Sequence, residues 1–260
     1  MRIALGVEYD GRPFRGWQAQ QDDLPTVQAS LQRGLSRVAD APVELVCAGR
    51  TDAGVHALEQ VVHFDTDAQR PERAWVRGVN SNVERAITVL WARPVGDDFH
   101  ARFSATGRRY RYVILNRPVR SSLADGRVTW EYRPLDERRM HEAGRHLLGE
   151  LDFTSYRAVG CQSHTPFRNV TRLDVTRQDD LVFIDIEANA FLHHMVRNIA
   201  GVLMDIGAGE REPDWAREVL EARDRTVGGV TAPPHGLYLM AVNYPPEFGL
   251  PRLSNTRLVW

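Results

Sequence analysis

Residues 43–65 read VELVCAGRTDAGVHALEQVVHFD. Apolar residues dominate both ends, and a glycine-bounded polar centre separates them. The pattern predicts strands over 43–49 and 59–65, joined by a connection that contains AGRTDAGVHA, residues 48–57. Gly49 and Gly54 would allow positive φ and close approach of another backbone. A turn needs at most an Asp bonded to its own backbone. This one also carries Arg50 and His56 beside Asp52, a set suited to an anion or a polar substrate.

The pattern extends outward from that stretch. Residues 2–9 alternate as a strand, and YDGRPFRGWQAQQDD forms a Gly/Pro loop. Val27, Leu31, Leu35 and Val38 share one face of a helix over 26–39. A helix over 71–82 opens at Pro71, and a strand over 87–95 closes the set. The order β-α-β-β-α-β is the split βαβ pattern. The rest repeats it imperfectly. Strands are expected at 108–115, 127–132, 170–177, 181–188 and 237–243, the third and fourth joined by QDD. Helices are expected at 136–148, 191–206 and 213–223. The expected fold is therefore α+β. It has two ferredoxin-like halves with antiparallel-rich sheets, residues 1–103 and 104–260, and an active-site cleft between them.

Composition narrows the function. Of 260 residues, 43% are hydrophobic and 26% charged, an ordinary globular mixture, and no apolar run approaches a membrane span. The start lacks the plan of a signal peptide. Cys47 and Cys161 have no partner at zinc-ligand spacing, which suggests a reducing cytoplasm without a disulfide framework. Net charge is −1, so any nucleic-acid binding must be local. All 33 basic residues are arginine, which removes Schiff-base and P-loop lysine chemistry. Arginines cluster with tyrosine in RRYR, 108–111, either as a phosphate- and base-contacting strip or as a solvated strand face.

NAFLHHMVRNIAG, 189–201, places Phe191, Met195, Ile199 and Val202 on an apolar stripe, with Arg197 on the same helix. A buried arginine needs an anionic partner, and Asp52 is the candidate; the arginine would keep that carboxylate ionised. His193 and His194 are adjacent rather than four apart, so no metal site is expected there.

GRTDAGVHA, RRYRY, HHMVRN and APPHGLYL, with YDGRPFRGWQ and DDFHARFSA, together resemble the tRNA pseudouridine synthase A family from about residue 3 to 245. Glu59 stands where that family commonly has glycine, and Arg108 where lysine is frequent. The resemblance implies a cytoplasmic isomerase that converts uridine to pseudouridine at positions 38, 39 and 40 of the tRNA anticodon arm, working as a homodimer. It implies Asp52 as the catalytic residue, Tyr110 stacked on the target base, Arg197 paired with Asp52, and Arg50 holding flipped-out RNA. Arg108 and Arg109 would contact the substrate. Breaking an N–C bond and making a C–C bond to the same base consumes no electrons and no water, so no cofactor is expected. An extruded base also needs an aromatic surface to replace its lost stacking. Two other readings fit parts of the sequence: a non-catalytic split-βαβ RNA-binding module, and a hydrolase using Asp52 with His56. Against the second, Asp52 has no evident second carboxylate.

Overall fold

The computed structural model describes residues 1–20 and 24–251. The described residues form a mixed α/β protein with five α-helices and mostly antiparallel strand pairing. It divides into two compact units, residues 1–106 with residues 239–251, and residues 107–238. No helix among the described residues is long and apolar enough to cross a membrane.

The first unit runs β1 (Arg2–Tyr9), α1 (Val27–Ala39), β2 (Val46–Cys47), β3 (His56–Asp65), α2 (Glu72–Asn80) and β4 (Ile87–Val95). β4, β1 and β3 lie side by side in that order, each antiparallel to its neighbour, and the short β2 pairs antiparallel with β3. Thr26 caps α1 by accepting the Ala29 amide, and Val27, Leu31 and Leu35 turn inward. Pro71 stands one position ahead of α2 rather than in its first turn.

The predicted strand at 43–49 shrinks to two residues. Val43 instead bonds to α1: its amide donates to Ser36 and its carbonyl accepts from Gln32, which removes it from the ladder. β3 is longer than expected and buried at every residue but Asp65. Both of its faces are covered. Phe64 meets Trp75 of α2 edge-on at 5.2 Å. On the other face Val61 packs with Trp91, Phe99 and the C-terminal residues Tyr244, Phe248 and Leu250.

The second unit comprises β5 (Gly107–Asn116), β6 (Thr129–Glu131), α3 (Glu137–Arg145), β7 (Gly149–Asp152), β8 (Phe167–Gln178), β9 (Leu181–Ala188), α4 (Met195–Gly207) and α5 (Trp215–Ala222). Strand order is β5-β9-β8-β7, with β6 running parallel to β5. A further strand, β10, spans Leu237–Asn243. α3 ends three residues early because the chain turns at Gly149, φ +99°, into the short β7. α4 starts at Met195, not 191: His194 takes φ +61° and interrupts the helix, so Phe191 leaves the stripe that Met195, Ile199 and Val202 form.

Candidate active site

The connection from Ala48 to Val55 is held from several directions. Asp52 accepts the Val55 amide through its backbone carbonyl at 3.1 Å, and Gly54 between them takes φ +80°. Positive φ at the third residue of a turn is why glycine stands there. Gly49 does not use positive φ; its carbonyl accepts from Gln60 of β3 at 2.6 Å. Thr51 exchanges a hydroxyl bond with Tyr9 of β1 at 2.8 Å and accepts the Trp17 amide at 3.0 Å.

The Gly/Pro loop at 10–18 is seated directly against this connection. A Cβ at Gly11 would stand 2.1 Å from the Val55 carbonyl oxygen. One at Gly16, φ +95°, would meet the backbone of Thr51, Asp52 and Ala53 at 3.0–3.3 Å. The loop is itself tied to the start of α1, because Val27 and Gln28 donate to the carbonyls of Gly16 and Trp17. Asp52 is thus a half-buried side chain on a backbone braced by β1, β3 and the 10–18 loop, and Arg50 beside it is exposed.

His56 has a bracing role in β3. It is buried, and its Nδ1 accepts the Gly11 amide at 3.1 Å with an Asp10 oxygen 3.3 Å away. Burial would raise the Asp10 carboxyl, but hydrogen bonds from Arg12 outweigh it and hold that carboxyl below its usual range. The Nδ1 atom of the imidazole is committed in this way to the 10–12 turn. Glu59 lies in β3, outside the loop. Its carboxylate accepts from Trp91 Nε1 at 3.1 Å, over the place where Gly6 lacks a side chain.

The other expected residues belong to the second unit. Tyr110 is buried on β5 and meets Phe191 edge-on at 5.0 Å. Arg108 is not on a solvated face: it is buried and donates to the Asn189 carbonyl at 2.8 Å. Arg109 is half-buried, opposite Glu187 of β9. Arg111 is held by a two-pronged contact with Asp185, at 3.0 and 2.8 Å. On α4, Arg197 Nε donates to the Ala232 carbonyl at 2.8 Å, and the Ala232 amide donates to the Arg197 carbonyl. That exchange fastens the APPHGLYL segment, 232–239, to α4. Tyr112 holds the same segment through the Pro233 carbonyl.

Sequence reasoning missed the groups that shape the Asp52 loop, namely Tyr9, Gly16, Trp17 and Gln60. The glycines of YDGRPFRGW were a visible signal of close approach. Which backbone they approach is a tertiary fact.

The sequence profile of a family described as tRNA pseudouridine synthase matches residues 6–104 and 143–245. The chain is 60% identical to the tRNA pseudouridine synthase A of Nitrosococcus oceani over 260 residues, the whole of both chains. It is 55% identical to that of Coxiella burnetii over 252 residues, 97% of this chain and 96% of the relative. It is 58% identical to that of Pseudomonas aeruginosa over 250 residues, 96% and 88% of the two.

Proposed function

The chain belongs to the tRNA pseudouridine synthase family, and from that membership we propose that it isomerises uridine to pseudouridine at positions 38, 39 and 40 of the tRNA anticodon arm, with Asp52 as the essential catalytic group. One observation carries the assignment of Asp52. Its backbone is braced by the Asp52–Val55 turn, by Tyr9 and Gln60, and by the 10–18 loop, which supports a carboxylate held in a fixed place.

The chemistry asks for such a group. The bond from base N1 to C1′ breaks, C5 of the same base bonds to C1′, the C5 proton leaves, and N1 takes up a proton. Attack by Asp52 on C1′ or C6, or removal of a sugar proton, all require an ionised carboxylate held still beside the nucleoside. Tyr110 is assigned to stack on the extruded base, Arg50 and Arg109 to hold the RNA, and Arg197 to pair with Asp52. Arg108 acts through the 189–194 segment that it anchors at Asn189. We read the strand order of the first unit as the split βαβ plan, assign the second unit the same plan, and take the working enzyme to be a cytoplasmic homodimer.

The test uses an unmodified tRNA transcript incubated with the purified protein, with pseudouridine mapped by carbodiimide labelling and primer-extension stops. Stops confined to positions 38–40 are expected. Released uracil, strand scission or an unmodified transcript would each refute the reading.

A further inference from the structure

Outside the catalytic loop, the first unit displays one aromatic side chain with unusual support. Phe103 is 76% exposed. Single exposed apolar residues are ordinary, but this one sits in a built stack. Its ring lies on the His100 imidazole at 4.3 Å and 27°, and the Arg102 guanidinium stands 5.5 Å from its centroid.

The backbone beneath is held at many points. His100 Nδ1 accepts the amides of both Arg102 and Phe103. The Ala101 amide donates to His63 of β3, and the Ala101 carbonyl accepts from Tyr244. Arg2 of β1 grips the carbonyls of Asp97 and Phe99, and Ser104 closes the turn onto His100. A segment anchored to β1, β3 and the C-terminal region holds an aromatic ring in water without using it in the core.

Phe99 and Ala101 share a buried cluster with Ala48, at the start of the connection that carries Asp52. Burial pushes the Cys47 thiol up to about 11, and Arg50 and Arg102 both lie near enough to pull it the other way. Both arginines are exposed. An exposed aromatic ring with the Arg102 guanidinium against it matches an unpaired nucleobase with its phosphate, because stacking tolerates any base and arginine serves both parts.

We propose that Phe103, backed by His100 and flanked by Arg102, is a stacking platform for an unpaired tRNA nucleobase next to the nucleotide presented to Asp52. This rests on the tRNA reading above, and its test is separate from that reading. Affinity for an anticodon stem-loop RNA is measured for the full chain and for Phe103→Ala, Phe103→Leu and Phe103→Trp, with thermal unfolding and sedimentation on the same preparations. Phe103→Leu keeps apolar bulk but lacks a π-face. Loss of one stacked base predicts roughly 5- to 150-fold weaker binding for the Ala and Leu variants, with affinity regained in Phe103→Trp. Wild-type affinity in Phe103→Leu would overturn the platform while leaving pseudouridine formation by the unaltered protein untouched. Weakened binding that tracks loss of self-association would overturn it equally, by making Phe103 a contact between copies of the chain.

Discussion

Gly16 lies against the backbone of Thr51, Asp52 and Ala53, closer than an added methyl group can stand without displacing them. Its φ of +95° is also one that L side chains rarely adopt. Gly16→Ala should therefore cost on the order of 2 kcal/mol in denaturant unfolding. It should also lower the single-turnover rate more than it weakens tRNA binding, because the displaced atoms carry the catalytic carboxylate. Unchanged stability and rate would mean that the 10–18 loop does not position Asp52. Other residues invite similar reasoning. Glu59, which stands where the family commonly has glycine, accepts from Trp91 across the sheet, where Gly6 makes the room. The sequence marked Glu59 as unusual, but the tryptophan 32 positions away that explains it was beyond local pattern.

Elements differ in how much of themselves they announce. β1, β4, β9 and β10 end where their apolar runs end, and α1 begins at a cap that could be read directly as Thr26. β2 was overdrawn because Val43 and Leu45 look strand-like while Val43 bonds to α1 side chains. β7 is four residues with no periodicity to detect. The 97–104 segment has no regular structure, and its order comes from contacts with distant elements. His63 is chief among them. Burial lowers its pKa from 6.5 to about 4, helped by the Arg2 and His100 charges, and its Nδ1 must stay unprotonated to accept the Ala101 amide. A lowered folded-state value means that the neutral form stabilises the fold. That contribution is complete above 6.5 and is lost as pH falls toward 4, by on the order of 2–3 kcal/mol. His63→Asn keeps an acceptor and removes the titration. Carboxylates titrate in the same range, so the quantity to compare is the difference in unfolding free energy between wild type and variant from pH 7 to pH 4. It should change by that amount, and parallel curves would show that His63 does not control the segment.

At the scale of the molecule, a net charge of −1 gave no hint of an RNA partner. Local arginines, separate motifs in a fixed order and full-length relatives carry that conclusion. The residue types of the site were legible in GRTDAG and RRYRY, but the burial of Arg108 and the tie between Arg197 and Ala232 depend on how the second unit folds. The central claim is that this fold presents one carboxylate to isomerise a tRNA uridine, and Asp52→Asn tests it most directly. Asparagine keeps the size and removes the charge, and the Asp52–Val55 turn closes through backbone atoms that the change leaves in place. Single-turnover pseudouridine formation at position 38, 39 or 40 should fall below detection in a variant whose unfolding curve and tRNA affinity stay close to wild type. Substantial turnover by that variant would contradict the account.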